Sequence, residues 1–567
     1  MSILDWLVMC TTLLSIVLYG IWKSRGTTNI EGYLLADRKL PWYHVGFSVM
    51  ATQASAITFL SAPGQGFTDG IRFVQFYFGL PMAMVVLCIT FIPIFHKLNV
   101  YTSYEYLEKR FDNKTRSLTA ALFLIQRGLS TGLTIYGPAI ILSTILKTDI
   151  IYTILFTGVI VITYTVYGGT KAVSYTQVLQ MCVIFAGLFF ATWLVVHMLP
   201  ADVGFIDALK IAGKMKKMEA IDTHLDFNNK YNLWSGIIGG FFLHLSYFGT
   251  DQSQVGRYLT GESIAQSRMG LVMNGLMKIP MQFFILVIGV LIFTFYQFNP
   301  TPVFFNDVEI NRIENSPYRG EFRKLSAEYE QVGEIKKEHV TRMAAALEKN
   351  DEATVTSARE VVLASESLSK DIRKKVTDLM RKNDELADTN DVNYIFLIFV
   401  TRQFPSGVIG LLMAIIILAA MGSTASGLNS LASTSVVDFY KRIFNKTGSE
   451  SQYLAASRWF TVAWGIFCIG AAVFASRLGN LIEAVNILGS LFYGTILGIF
   501  LVAFYMKSIR GTSVFYAAVI AEIFIAYAWV VNFTAFLWLN VIGCLLVMSL
   551  SWIIQKVRGV PAANGRD

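Results

Sequence analysis

The sequence predicts an all-α polytopic membrane protein interrupted by one water-exposed helical insert, and three observations carry that prediction. Of the 567 residues, 54% are hydrophobic and only 15% charged, where a soluble domain carries nearer a quarter charged. Apolar runs long enough to cross a bilayer, about 20 residues each, recur from end to end. The stretch 305–392 holds 34 of the 86 acidic and basic residues, 15 basic and 19 acidic, leaving 32 basic and 20 acidic elsewhere. Two media are therefore written into one chain, lipid around most of it and water around the centre.

The runs lie near 3–22, 43–65, 73–95, 115–146, 150–168, 173–198, 232–258, 268–298, 405–437, 456–476, 482–505, 513–531 and 534–555, thirteen expected spans. They divide the chain into a first membrane part at 1–304 (spans 1–8), an insert at 305–392 and a second membrane part at 393–567 (spans 9–13). The first run lacks a basic n-region and a small-residue cleavage site, so it reads as a retained helix rather than a signal peptide. Cys10, Cys88, Cys182, Cys468 and Cys544 all sit inside apolar runs with no paired spacing. They read as small buried side chains, not as disulfides or metal ligands.

Short loops rich in Lys and Arg stay on the cytoplasmic side. Lys23, Arg25, Arg38, Lys39, Lys97, Lys109, Arg110, Lys114, Arg116, Lys171, Arg257, Arg268, Lys441, Arg442, Lys446, Lys507, Arg510, Lys556 and Arg558 share one side only if the N-terminus is outside and the C-terminus inside. Lys210 to Lys217 is the exception and reads as an amphipathic surface segment. The insert then lies outside. Its segments 321–348 and 353–386, rich in Ala, Glu, Lys and Arg, predict exposed helices with many i,i+4 charge pairs. They predict a hairpin with a small core: a solvated appendage on the plain reading, a partner-docking module on the sharper one.

No Walker A loop, metalloprotease His pair or nucleophile elbow is present, and Gly168-Gly169 reads as a turn at a helix end. An enzyme is not expected. Polar residues inside apolar spans are the informative feature, because each costs free energy in lipid unless paired or lining a cavity. The second span reads Met50-Ala-Thr-Gln-Ala-Ser-Ala-Ile-Thr-Phe-Leu-Ser-Ala-Pro-Gly-Gln-Gly66, a helix able to break and free carbonyls for a hard cation. In the ninth, ten of the seventeen residues from Ala419 to Ser435 are Ser, Thr, Asn or Gly. Hydroxyls and carbonyls make a neutral oxygen site suited to sodium, whereas calcium or magnesium call for carboxylates. Close helix packing is the bland alternative.

The stretches 419–442 (Ala-Ala-x-x-Ser-Thr through Leu-Asn-Ser to Asp-Phe-Tyr-Lys-Arg), 167–180, 249–260 (Gly-Thr-Asp-Gln-Ser-Gln-Val-Gly-Arg-Tyr-Leu-Thr) and 96–111 resemble the sodium/solute symporter family. Its members carry sugars, proline, sialic acid, iodide, monocarboxylates and vitamins. The resemblance covers nearly all of the chain outside the insert. It implies the leucine-transporter-type fold, an inverted repeat of five plus five helices, here spans 2–6 and 7–11. It also implies a sodium ion held by carbonyls of Ala51, Ala54 and Ala420 and hydroxyls of Ser423 and Thr424. Some members hold a second sodium with an Asp where Gln177 stands, so one sodium per turnover is expected.

Solute contacts carried over from the family fall on Thr58, Tyr77, His244, Tyr247, Lys278 and Asn486. Sugar members place Gln at Thr58 and Glu near Tyr77, and both are lost here. His244 or Lys278 meets an anionic group, or His244 packs as a neutral ring; the solute class stays open. The resemblance thus implies sodium-coupled symport of a small organic solute or anion by alternating access. Its partners are sodium, solute and lipid, in a cell membrane, with a bacterial inner membrane expected. The rivals are sugar or sialic acid uptake, an uncoupled uniporter or channel-like carrier, and a membrane sensor on the same fold.

Overall fold

The computed structural model describes residues 1–24, 30–385, 387–475 and 480–558. Arg25 and the side chains of Lys23 and Lys171, part of the charge argument, lie outside what is described. Ten helical stretches among the described residues are long and apolar enough to cross a membrane. In lipid a backbone must satisfy its own polar groups, and helices do so within one segment. The three remaining expected runs are present in other forms. The run 43–65 is split into α2 (Trp42–Gln53) and α3 (Ala56–Asp69). The run 150–168 includes a shorter apolar stretch, Ile150–Val166. The run 232–258 is divided between Ser235–Gly239, Gly240–Thr250 and Gln252–Tyr258.

The longest element, Ile150–His197, has helical backbone throughout, where the sequence predicts two spans and a turn. It is nevertheless not straight. Tyr164 Oη lies 3.1 Å from Thr176 Oγ1, and twelve residues of straight helix separate two Cα atoms by about 18 Å. The chain therefore folds back between these residues, and the two expected spans stand side by side.

The other long helices are α1 (Ile3–Ser24), α4 (Asn113–Leu146), α5 (the doubled Ile150–His197), α6 (Phe205–Lys214), α7 (Gly240–Thr250) and α8 (Ile264–Phe298). They continue with α9 (Arg319–Glu348), α10 (Glu352–Asn383), α11 (Val408–Thr434), α12 (Glu450–Val473), α13 (Leu481–Tyr505), α14 (Gly511–Val530) and α15 (Phe536–Val557). Side-chain caps start several of them. Asp112 accepts from the Thr115 amide at 2.8 Å, and Asp5 accepts from the Gly407 and Gly410 amides at 2.6 and 3.2 Å. Asp5 thereby pins the start of α1 to the start of α11.

Helix α8 is the post along which the split helix runs. Gly46 lies against Gly270, and Gly289 against the Pro63 carbonyl, so α2–α3 and α8 run in the same direction. Nineteen residues of α8 rise roughly 28 Å, about the hydrocarbon thickness. At Gly70, whose φ is 75°, the chain reverses. It returns with Met84 against Gly275 and with Arg268 Nε donating to the Cys88 carbonyl at 2.8 Å. One unbroken helix thus fixes two crossings of the expected 43–95 region.

The start of α1 and the end of α15 lie on different faces of the described part of the molecule. Asp5 meets the loop that follows the insert, through Gly407. At the other end, α15 starts where Ala535 bonds Phe227 and finishes where Gln555 accepts from the Arg510 amide at 3.2 Å. An odd number of crossings follows. The basic loops gather on that second face. Arg110 there donates to the carbonyls of Met506, Lys507 and Ile509, and Arg116 pairs with Asp438 at 2.6 Å.

The segments predicted as exposed helices form an antiparallel hairpin, α9 and α10, close to the expected boundaries; residue 386 is outside the description. The hairpin does not stand free. At its base Arg373 pairs with Asp391 and Arg402 with Asp307, both at 2.7 Å. At its tip Glu352 meets Lys214 at 3.1 Å, and Arg359 Nε donates to the Lys214 carbonyl at 2.6 Å. Val340, Met343, Val355 and Val362 join the main apolar core of the membrane part. The expected surface segment Lys210 to Lys217 is largely helix α6, and it lies on this same face.

Candidate functional site

Helix α2 ends at Ala54 (φ −84°, ψ 75°), and Ser55 (φ −81°, ψ 176°) begins α3. The Ser55 amide donates to the Gln53 carbonyl at 3.1 Å rather than to Ala51 four residues back. The Ala51 carbonyl is thereby released from the regular ladder in the middle of a span. Opposite stands α11, whose small side chains let the helices meet. Thr52 Oγ1 is 3.2 Å from Ser426 Oγ, so the broken end and the hydroxyl-rich stripe touch.

On that stripe Ser423 Oγ donates to the carbonyls of Ala419 and Ala420, both at 3.1 Å. Thr424 Oγ1 lies 2.8 Å from Thr134 Oγ1 on α4. A hydroxyl that donates within its own helix keeps lone pairs for a cation. Gln177, from the returning limb of α5, closes the group. Its amide lies 3.3 Å from Thr52 Oγ1, 3.2 Å from Ser426 Oγ and 3.4 Å from the Gly422 carbonyl, and it accepts from Ser48 Oγ at 2.6 Å.

Beside this group lies a cavity of about 90 Å³. Of the expected solute contacts, Thr58, Tyr77, Tyr247 and Asn486 line it. His244 and Lys278 do not; they stand behind the Tyr77 ring, at 5.6 Å (ring to ring) and 5.7 Å (Nζ to ring). Both are fully buried. Among the described residues, Lys278 Nζ and His244 Nε2 have no hydrogen-bond partner, and His244 Nδ1 meets the Gly240 carbonyl at 2.6 Å.

Two residues that the sequence reading passed over close the cavity on the face opposite the insert. Arg127, on α4, lines it and pairs with Asp251 at 2.6 Å, also donating to Ser253. Tyr493 Oη donates to Asp251 at 2.8 Å, and Arg127 lies 5.6 Å from the Tyr247 ring. A guanidinium in mid-span is a functional candidate by default, so Arg127 in the 115–146 run was a signal available in the sequence. On the insert side, Phe76 and Tyr77 bound the cavity and Phe73 packs on both, at 5.5 and 5.9 Å. Arg127 and Tyr493, with their partner Asp251, bound the cavity on one side, and Phe76 and Tyr77 on the other.

The sequence profile of the family described as "Sodium:solute symporter family" matches residues 33–311 and 383–553. The chain belongs to the sodium:solute symporter family. The stretch this symporter profile leaves out, 312–382, is essentially the α9–α10 hairpin. The human sodium/iodide cotransporter is 31% identical over 259 residues, 45% of this chain and 40% of that protein. The Vibrio parahaemolyticus sodium/glucose cotransporter is 30% identical over 51% of this chain and 55% of its own length. The chain thus matches only about half the length of these two relatives. The sodium/sialic acid symporter NanT of Aliivibrio fischeri is 24% identical over 97% of this chain and 92% of its own.

A solved sodium-coupled sialic acid symporter in a substrate-bound outward-open state superposes with a TM-score of 0.76 at 20% identity, covering 99% of each chain. This symporter shares the fold, which is the leucine-transporter type expected from the sequence. The relatives are transporters, not enzymes.

Proposed function

We propose that the protein is a secondary transporter in which inward sodium flow drives uptake of a small solute, preferably an anion, by alternating access. The observation that carries this reading is the break at Ala54–Ser55 set against the α11 hydroxyls. Carbonyls of Ala51, Ala54 and Ala420 with Ser423 and Thr424 offer an all-oxygen, uncharged shell for a monovalent cation. Sodium there ties α2–α3 to α11, so it favours one arrangement of the two repeats over the other. That differential affinity is the coupling, typically about 1–3 kcal/mol.

Gln177 supports a stoichiometry of one sodium. Either way round, an amide brings an NH₂ donor that a cation rejects, where a carboxylate brings acceptors alone. For the solute, Thr58, Tyr77, Tyr247 and Asn486 form the immediate shell. Lys278 and His244 behind Tyr77 supply buried positive charge and a ring nitrogen for an anionic group once Tyr77 swings aside. An unpaired buried ammonium is costly, which favours a partner that arrives with the solute. The insert face is the outside and the basic face the cytoplasm, as in a bacterial inner membrane.

The test is uptake into proteoliposomes of radiolabelled iodide, lactate, sialic acid and glucose, with sodium or potassium outside. Accumulation of one anion that needs an inward sodium gradient, and that Ser423→Ala/Thr424→Ala abolishes without loss of protein, is the expected result. Equal uptake in potassium identifies an uncoupled carrier instead.

A further inference from the structure

The hairpin that the symporter profile leaves out roofs a second cavity, of about 650 Å³, directly above the aromatic closure. Phe73, which packs on Phe76 and Tyr77 below, is part of its floor, and Leu363, Glu366, Ser367 and Lys370 of α10 form its roof. Its volume suits a bound small molecule. Five cations line it, Arg72, Lys216, Lys217, Lys230 and Lys370, against three carboxylates.

Those carboxylates are already engaged. Glu483 pairs with Lys230, Glu366 with Lys336 at 3.3 Å, and Asp69 accepts from Gln65 at 2.5 Å. Arg72 is held by Glu219 at 2.9 Å. Among the described residues, Lys216, Lys217 and Lys370 form no ion pair. Lys217 is only 8% exposed; its ammonium donates to the Thr68 carbonyl and lies 4.6 Å from the Phe293 ring. Burial lowers its pKa to about 8 even with Glu366 and Asp69 nearby, a cost that a further anion would offset.

We infer that this vestibule is an entrance site for small monovalent anions, gripped by Lys217 from the membrane part and by Lys370 from the insert. The insert is then a wall of the solute pathway and not an appendage. Its anchors at base and tip keep α10 over the opening, and a cleft with an excess of positive charge raises the local concentration of anions. The inference rests on the symport reading only for the statement that solute enters from this face.

The experiment uses the full chain carrying Ser367→Cys, with exposed Cys10 and Cys182 replaced by serine. Labelling by an anionic and a cationic methanethiosulfonate is compared with the same pair on Ser357→Cys, an exposed α10 position outside the cavity. The expected result is a several-fold preference for the anionic reagent at 367 alone, lost in Lys217→Gln/Lys370→Gln. Sodium iodide or sodium lactate should slow that labelling, and glucose should not. If Lys217→Gln does not fold, Lys370→Gln alone, at an exposed position, should at least halve the preference. Equal rates for both reagents at 367, with no slowing by either anion, overturn the inference. Failure of the symport reading appears in the uptake assay and leaves this labelling pattern unchanged.

Discussion

At the scale of the residue, the balance of charge in mid-membrane decides what the protein can hold. Asp251 is fully committed to Arg127, Ser253 and Tyr493. Asp251→Asn strands a buried guanidinium, an error of about 3–5 kcal/mol, and should lower the unfolding midpoint and abolish uptake. Asp251→Asn with Arg127→Gln should recover part of the stability, a coupling that a double-mutant cycle reads directly. Gln177→Asp should raise the Hill coefficient for sodium-dependent uptake from about 1 towards 2, by replacing a donor with acceptors beside Ser48 and Ser174.

The residue scale is also where the sequence was read least well. The hydroxyl stripe of α11 was legible because ten small polar residues in a hydrophobic span have few explanations. Arg127 stands in the sequence as a lone guanidinium in mid-span, but its partner Asp251 lies 124 residues away, and no local pattern announces a pair formed only by the fold. Packing of elements distant in sequence likewise hid the placement of His244 and Lys278. Side chains from α7 and α8 meet behind Tyr77 because of how those helices pack, which no motif encodes.

At the scale of the element, the broken helix was legible and its breaking point only roughly so. Proline and two glycines, Pro63, Gly64 and Gly66, are the obvious breakers, yet all lie inside α3. The ladder fails earlier, at Ala54–Ser55. The glycines serve contact instead: a Cβ on Gly66 would sit 2.3 Å from the Leu286 carbonyl, and one on Gly289 would sit 2.0 Å from that of Pro63. Backbone atoms cannot yield as side chains do. Gly289→Ala should therefore separate α3 from α8 and cost about 1–3 kcal/mol, the usual range for overpacking, seen as a lower unfolding midpoint. Uptake should fall further than stability alone explains, because α3 continues directly from the break whose Ala51 and Ala54 carbonyls form one side of the proposed sodium site.

At the scale of the whole molecule, the broken helix and the hydroxyl-rich α11 meet beside a small cavity bounded by Arg127, Tyr77, Tyr247 and Tyr493. The membrane-length helices followed from the apolar runs, since bilayer thickness sets their length. The docking of the insert did not. Its polar composition reads as solvated, and only the fold shows Lys214 and Asp391 holding it at both ends. On the proposed mechanism, alternating access opens the two sides in turn, with sodium favouring the state in which α2–α3 and α11 are joined. A ligand shifts such an equilibrium only by its difference in affinity for the two states.

Thermal unfolding of the detergent-solubilised protein in sodium against potassium tests that claim most directly, and it needs no known solute. Sodium at a hundredfold excess over its dissociation constant should add about 2.7 kcal/mol, a rise of a few degrees in the midpoint, absent in Ser423→Ala/Thr424→Ala. A midpoint indifferent to sodium in the wild type, or a rise that survives the double substitution, would contradict a sodium site between the broken helix and α11.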